Sequence, residues 1–314
     1  MPLDVLQPAL RSGIDDLHRK FFNAEPFRHI IFDQFFTKEF CESLLRDFPP
    51  FDPALAMSEI GVPGSKAVVE RLPEISSVYG QLDQLIRSRE FLLWLGALTG
   101  IPDLLYDPHY YGGGTHENLH GEELDVHVDF NYHPKSKTHR RLNLIVFLNP
   151  EWDPDWGGCL ELHKRPWDGP AKDHVITVIP LFNRCVIFET TESSWHGFRR
   201  IQLPSDRQSI SRRSIAVYFY SQQRPAAETA PHHSTVYVPW MMADHLQSGY
   251  TLTETDVNEL KVLFHHRDER IRFFYEREKE FSTLKTMFNS VLASKSFKLA
   301  RLLSAPVRSL RRAK

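Results

Sequence analysis

Residues 124–130 read LDVHVDF, and apolar and polar side chains alternate along the whole segment. Successive side chains of a β-strand point to opposite faces, so this pattern predicts a strand with one apolar face. His127 and Asp129 share the polar face. One metal ion can therefore bind an imidazole nitrogen and a carboxylate oxygen from this pair.

Two later segments, residues 141–149 (RLNLIVFLN) and 212–220 (RRSIAVYFY), alternate in the same way. One face of each is strongly apolar and is predicted to pack against another layer, such as flanking helices. The other face carries polar groups, among them Asn143 and Ser214, beside aromatic rings. Sheets that are apolar outside and polar inside are typical of ligand-binding jelly rolls. We therefore expect a mainly β core with flanking N-terminal helices and a C-terminal helical extension, α+β overall.

Changes in residue pattern divide the chain into four predicted parts. Residues 1–105 have the apolar spacing of helices and form a helical support, whereas residues 106–223 contain the short alternating strands. Residues 224–250 form a proline-containing linker. Residues 251–314 are a helical extension with a basic end.

The composition excludes several classes of protein. The 314 residues carry 40 acidic and 38 basic side chains, so general electrostatic attraction to nucleic acid is not a default function. Three scattered cysteines are too few for a disulfide framework or a cysteine-rich zinc cluster. The sequence shows neither a secretory signal nor a membrane-length apolar segment, which predicts a cytoplasmic protein.

A third metal ligand is expected from His196, in the segment SSWHGF that follows the strand-like residues 183–190. Two histidines and one carboxylate on one side of an ion leave the other side open for substrate and oxygen. Non-haem Fe(II) oxygenases use this arrangement. A pairing of histidine with an acid two residues later is a weak signal alone, because the sixteen histidines produce three such pairs. Of these, only His127 and Asp129 fall on a predicted strand.

Arg212 is the candidate anchor for a second carboxylate. It shares the polar face of its predicted strand with Ser214, and a guanidinium can bind a carboxylate through two parallel hydrogen bonds. A dicarboxylate such as 2-oxoglutarate could chelate the metal at one end and bind Arg212 at the other. Arg213 is the competing residue, although the alternation places it on the apolar face. Arg212 could also be a surface cation at the end of its strand.

From about Tyr106 to Gln223, the chain resembles the 2-oxoglutarate and Fe(II)-dependent dioxygenases of the prolyl hydroxylase-like superfamily. The matching strings are DPHYYGGG, HVDFN, RRLNLIVFLNPEWDPDWGGCLEL, IPLFNRCVIFET, SWHGF and RRSIAVYFYS. This resemblance implies a double-stranded β-helix. It also implies that His127, Asp129 and His196 bind iron and that Arg212 and Ser214 anchor the co-substrate.

The resemblance suggests further co-substrate contacts. Tyr110 is the nearest match to a tyrosine that commonly helps to hold 2-oxoglutarate, and Tyr111 is its rival. Asn143 could line the same pocket. Phe147 stands where some relatives have a tyrosine. The implied cofactor is Fe(II), with 2-oxoglutarate and O2 as co-substrates and ascorbate as a candidate reductant.

The expected activity is hydroxylation of a C–H bond, with release of succinate and CO2. The candidate substrates are a peptide or prolyl residue, an amino acid, a glycan precursor or another small metabolite. A nucleic-acid-demethylating oxygenase is the alternative enzyme, which the balanced charge of residues 106–222 disfavours. A non-catalytic binding or scaffold module is the alternative outside enzymes.

The C-terminal residues 281–314 contain eight basic residues and no acid after Glu280. Apolar residues are interspersed, so this segment could contact an anionic membrane surface or an acidic partner as a helix. The alternative is a solvated helical tail. Residues 296–312 also resemble ends of some bacterial surface-polysaccharide glycosyltransferases, which adds glycan precursors to the candidate substrates. The oligomeric state is not predicted.

Overall fold

The computed structural model describes residues 2–56, 66–169, 171–238, 242, 245–297 and 299–300. The chain divides into two compact units, Met1–Met241 and Met242–Lys314. The helices of the first unit are α1 (Ile14–Phe22), α2 (Lys38–Arg46), α3 (Leu72–Ile75), α4 (Ser77–Arg87) and α5 (Arg89–Thr99). Short 3-10 turns are formed by Pro2–Val5, Pro8–Arg11, Pro53–Leu55, Pro154–Trp156, Pro166–Asp168 and Ala226–Glu228.

Two antiparallel sheets make up the centre of the first unit. The strands of the larger sheet are β1 (His29–Phe32), β2 (Lys66–Val69), β3 (Leu105–Tyr106), β4 (Gly114–Asn118), β6 (His139–Phe147), β9 (Cys185–Glu189) and β11 (Arg212–Ser221). The strands of the smaller sheet are β5 (Leu124–Val128), β7 (Leu160–His163), β8 (Val175–Val178), β10 (Trp195–Phe198) and β12 (Val236–Val238). The larger sheet has the order β1-β9-β6-β11-β4-β2, with β3 on β11, and the smaller has β12-β5-β10-β7-β8.

The outer face of the larger sheet packs on the N-terminal helices. Apolar side chains of β6 and β11, such as Leu144 and Val217, share a buried cluster with Leu82 of α4 and Phe91 of α5. This contact confirms the predicted apolar faces. The α+β fold class with a jelly-roll core is likewise confirmed by the two antiparallel sheets and their flanking helices.

The inner faces of the sheets meet in a second, smaller apolar cluster. Its buried members come from both sheets and are Phe147, Leu160, Leu162, Val178, Val186 and Phe188. The cluster reaches the polar centre of the fold, because the rings of Phe188 and His196 lie 4.7 Å apart between centroids. Part of the space between the sheets is therefore filled by apolar side chains.

Three short strands occur where the sequence predicts helices or linker. β1 and β2 lie within residues 1–105 and pair with β9 and β4, while β12 lies within residues 224–250 and pairs with β5. Each is three or four residues long. A segment of this length is too short to show a convincing period-two pattern.

The second unit is dominated by α6 (Glu254–Ala293). Thr253 and Asp256 form a capping box at its start. None of the described helices has an apolar stretch long enough to cross a membrane. The predicted basic end is only partly visible, since Lys298 and residues 301–314 lie outside the described residues.

Candidate metal centre

His127 and His196 face each other across neighbouring strands of the smaller sheet. They are register partners in the β5–β10 pair, and their ring centroids are 4.3 Å apart. Gly197 permits this close approach, because a Cβ at that position would lie 2.6 Å from the carbonyl oxygen of Leu124. The spacing of the two imidazoles therefore depends on a residue without a side chain.

Asp129 follows β5 and completes a group of three candidate ligands. Its carboxylate oxygens lie 3.7 Å from His127 Nε2 and 3.6 Å from His196 Nε2. One donor atom from each residue lies within 4.8 Å of the others, and no other group of three such donors occurs among the described residues. The structure thus brings together all three residues that the sequence predicts as metal ligands.

Backbone hydrogen bonds fix the tautomer of both imidazoles. His127 Nδ1 lies 2.9 Å from the carbonyl oxygen of Asp125, and His196 Nδ1 lies 2.9 Å from that of Ser194. A carbonyl oxygen only accepts, so each Nδ1 carries the proton and donates it. In the neutral imidazole, Nε2 is then the nitrogen with the lone pair, and in both residues this atom faces Asp129, as metal binding requires.

The charge states also suit a cation. Burial lowers the pKa of His196 to about 3, so this imidazole is neutral at physiological pH. Burial is the largest single effect and by itself would raise the pKa of Asp129, but Arg140 and the two histidines together hold that pKa well below its ordinary value. Two imidazole nitrogens and an ionised carboxylate form a donor set that fits Fe(II).

Arg140 and Asn143 orient Asp129 from the larger sheet. Arg140 Nη2 lies 3.2 Å from Asp129 Oδ2, and Asn143 Nδ2 donates to the same oxygen at 2.8 Å. The two residues are also bonded to each other, since Arg140 donates to Asn143 Oδ1. Asn143 thus lies in the pocket, as predicted, but its contact is with a candidate metal ligand.

Arg140 was not predicted from the sequence. It is 2% exposed, and its guanidinium lies between the rings of Phe130 and Tyr218, with the Cζ atom 4.5 Å and 3.6 Å from their centroids. Strict alternation along β6 would place Arg140 opposite to Asn143. A β-bulge against β11 shifts the register between Phe219 and Tyr220, and this shift brings Arg140 to the inner face.

Tyr237 is a further residue beside the centre that the sequence did not indicate. It is the register partner of His127 in the β12–β5 pair, and the two ring centroids are 5.3 Å apart. Residues 224–250 were expected to form a linker, so no strand was predicted there.

Arg212 is buried on the inner side of the larger sheet. Its Nε donates to the carbonyl oxygen of Gly158 at 2.6 Å, and its Nη1 donates to Asn118 Oδ1 at 3.4 Å. Its Cζ atom lies 4.4 Å from the ring centroid of Phe198 and 5.0 Å from that of Phe147. Burial lowers its pKa to about 10, which leaves the guanidinium charged at neutral pH. Both hydrogen-bond acceptors of Arg212 among the described residues, a backbone carbonyl oxygen and an amide oxygen, are neutral.

Gly158 shapes the wall beside this cation. Its φ is +66°, and an added Cβ would meet Trp152 at 2.9 Å and Ile201 at 3.0 Å. The glycine therefore lets its carbonyl oxygen approach Arg212, in the glycine turn at residues 157–158.

Ser214 and Arg213 take the faces that the sequence predicts. Ser214 is buried, in register with Phe147 of β6 and with His116 of β4. Arg213 instead pairs with Glu117 at 3.0 Å and lies over the ring of Phe48. The structure therefore places Arg212, and not Arg213, on the inner side.

His116 is a candidate pocket residue that the sequence did not indicate. Its Nε2 atom is buried and has no hydrogen-bond partner among the described residues. Burial, together with the charges of Lys66 and Arg212, holds its pKa well below the ordinary value. The backbone of Gly112 and Gly113 accepts from this imidazole, so its buried Nε2 is an acceptor in the neutral form and suits a hydroxyl group rather than a carboxylate.

Tyr110 lies away from this pocket. Its hydroxyl donates to Asp83 Oδ1 of α4 at 3.0 Å, and its ring belongs to the apolar cluster between the sheet and the helices. Burial raises its pKa far above the ordinary value. Tyr111 is 42% exposed and packs on Phe130 and His133. The structure therefore corrects the prediction that Tyr110 contacts the co-substrate.

Comparison with known families follows this geometry. Residues 113–220 match the profile described as the 2OG-Fe(II) oxygenase superfamily. The matched segment runs from the start of β4 almost to the end of β11 and contains all three candidate ligands and Arg212. Within this segment the chain is similar to the iron- and 2-oxoglutarate-dependent oxygenases, the family that the sequence resembles. The match supports the predicted enzyme class, a 2-oxoglutarate-dependent dioxygenase.

The chain is 29% identical over 125 residues to the mouse (Mus musculus) prolyl 3-hydroxylase OGFOD1. The aligned part covers 36% of this chain and only 22% of the relative.

The solved structures that match this chain include prolyl hydroxylases. One, from Trichoplax adhaerens, is in complex with a hypoxia inducible factor peptide fragment. It has 13% identity and a TM-score of 0.49, and the match covers 73% of this chain and 100% of that one. A prolyl 4-hydroxylase from Phytophthora capsici has 18% identity and a TM-score of 0.44, covering 96% and 93%. HygX from Streptomyces hygroscopicus, with nickel and 2-oxoglutarate bound, has 14% identity and a TM-score of 0.42, covering 67% and 91%.

Proposed function

We propose that the protein hydroxylates a C–H bond of its substrate, with release of succinate and CO2 from 2-oxoglutarate. One observation carries this proposal. The Nε2 atoms of His127 and His196 and the Asp129 carboxylate converge in a fold that also buries Arg212, whose hydrogen-bond partners among the described residues are neutral. A buried charge without a counter-ion is costly, so the carboxylate of a bound co-substrate supplies the missing partner.

Each group has a defined part in this function. His127, Asp129 and His196 would hold Fe(II), and Arg212 would bind the far carboxylate of 2-oxoglutarate. Bound Fe(II), with 2-oxoglutarate and O2, supplies the oxidising chemistry. The rings of Phe147 and Phe198 exclude water from the guanidinium, which strengthens its attraction to an anion.

We propose a prolyl residue of a peptide or protein as the first substrate to test, because the aligned mouse relative is named a prolyl 3-hydroxylase. Free amino acids, glycan precursors and other small metabolites belong in the same screen. The readouts are succinate release and the addition of one oxygen atom, detected by mass spectrometry. Metal and 2-oxoglutarate binding without succinate release across the screen would instead support a non-catalytic binding module.

The metal site is tested independently of any substrate. Anaerobic titration with Fe(II) and 2-oxoglutarate should produce a visible charge-transfer band in the wild type, and His127→Ala and Asp129→Ala should abolish it. His133→Ala is the matched control, because His133 is also buried with its Nε2 3.4 Å from a carboxylate, that of Asp107. A band retained in both ligand variants, or absent from folded wild-type protein, would contradict the assignment.

A further inference from the structure

The amino-acid composition of helix α6 changes at Phe281. Between Glu254 and Glu280, fourteen of 27 residues are charged, with both signs present. From Phe281 to the helix end at Ala293, Lys285 is the single charged residue. The first part has the composition of a solvated helix, whereas the second part does not.

Large apolar side chains form one face of residues 281–293. They are Phe281, Leu284, Met287, Phe288, Val291 and Leu292. At 100° per residue they span an arc of about 140°. Their exposed fractions range from 36% to 67%. We call this set of six residues the apolar face of α6.

The opposite side of the same segment is polar but uncharged. It consists of Ser282, Thr283, Thr286, Asn289 and Ser290. Several hydroxyls bond to the helix itself: Thr283 donates to the carbonyl of Lys279, Thr286 to that of Ser282 and Ser290 to that of Met287. The polar side therefore shows no charge pattern that a protein partner could read.

The segment fits a lipid surface better than a second helix. A coiled-coil seam has two apolar positions in seven and charged flanks that select the partner. Here six of 13 positions are apolar, and the chain contains no acid after Glu280. Lys285 lies next to the edge of the apolar face, where an ammonium group can reach lipid phosphates.

The length of the segment indicates how it would be oriented relative to a bilayer. Thirteen helical residues extend about 20 Å, which is shorter than the hydrocarbon core of a bilayer. We propose that residues 281–293 lie in the plane of a lipid bilayer surface, with the apolar face of α6 inserted at the boundary between headgroups and acyl chains.

This inference makes apolar burial the main attraction and charge a secondary one. Binding should therefore occur on purely zwitterionic phosphatidylcholine vesicles and should survive raised salt. It should be stronger on small, highly curved vesicles, because loosely packed headgroups expose more apolar area. Added phosphatidylserine should increase binding modestly through Lys285 and Lys295.

The test is flotation of the full chain with phosphatidylcholine vesicles, small and large, with and without phosphatidylserine. Phe288→Asp removes a central member of the apolar face and should weaken partitioning at least about tenfold. Phe274→Asp is the matched control, because Phe274 is similarly exposed, 65% against 62%, on the charged part of the same helix. The control should bind like the wild type.

Several outcomes would overturn the inference. These are failure of the wild type to float with any vesicle, equal binding by Phe288→Asp and the wild type, or binding that requires phosphatidylserine and vanishes in salt. Sedimentation velocity without lipid tests whether the apolar face of α6 instead binds a second copy of the chain. A dimer that Phe288→Asp dissociates, with no vesicle binding, would assign the apolar face to a second copy of the chain.

Discussion

The side-chain amide of Asn143 donates a 2.8 Å hydrogen bond to Asp129 Oδ2 and joins a strand of the larger sheet to a candidate metal ligand of the smaller one. Asn143 in turn accepts hydrogen bonds from Arg140, so both residues restrict rotation of the carboxylate. Residues that orient a ligand in this way commonly matter nearly as much as the ligand itself.

We expect Asn143→Ala to lower metal affinity about 10- to 100-fold while the fold is kept. The measurement is anaerobic calorimetric titration with Fe(II). Asn131→Ala is the control, because this buried amide bonds to Pro231 and His233 and not to Asp129. Unchanged affinity in the Asn143 variant would show that Asp129 needs no such support.

Arg212→Met should raise the dissociation constant for 2-oxoglutarate by about 30-fold or more, because truncating one partner of a buried charge pair costs several kcal/mol. Methionine preserves apolar contact with Phe147 and Phe198. Arg213→Met is the control and should have little effect, since Arg213 pairs with Glu117 on the outer face. Calorimetric titration of the metal-loaded proteins gives both constants, and the reverse order would refute the assignment to Arg212.

Tyr110→Phe should reduce the free energy of unfolding by about 1 kcal/mol through loss of its hydrogen bond to Asp83. Chemical denaturation measures this change. The dissociation constant for 2-oxoglutarate should stay the same, because the hydroxyl lies on the helix side of the sheet. A marked rise in that dissociation constant, with stability unaltered, would instead indicate that the Tyr110 hydroxyl contacts 2-oxoglutarate.

The metal-free protein should lose stability as the pH falls below about 6.5. The folded pKa of His196 is about 3, against 6.5 for an ordinary histidine, so in this window the unfolded chain binds a proton that the folded chain does not. The expected slope from this residue is about 1.4 kcal/mol per pH unit. Denaturation of the wild type and His196→Gln at several pH values should show a shallower slope in the variant. Equal slopes would mean that His196 protonates normally when folded.

The sequence was sufficient where apolar and polar residues alternate regularly along a strand. Period two alone places His127 with Asp129 and separates Arg212 from Arg213, because a strand offers only two faces. It was insufficient where the period is interrupted. The bulge opposite Arg140 depends on pairing with β11, which is remote in the chain. His116 lies on strand β4, whose sequence GTHEN has no apolar alternation, and Tyr110 lies in a turn with φ of +48°, so neither segment supplies a pattern that fixes direction.

Gly197 gives the two imidazoles a separation that the rest of the sheet could not provide. Any other residue there would push β10 away from β5, since the Cβ would collide with the backbone at Leu124 and Val126. The absence of a side chain at Gly197 therefore keeps β10 close enough to β5 for the rings of His127 and His196 to lie side by side. A residue that contacts neither imidazole nor carboxylate thus helps to determine whether the two histidines can share one ion.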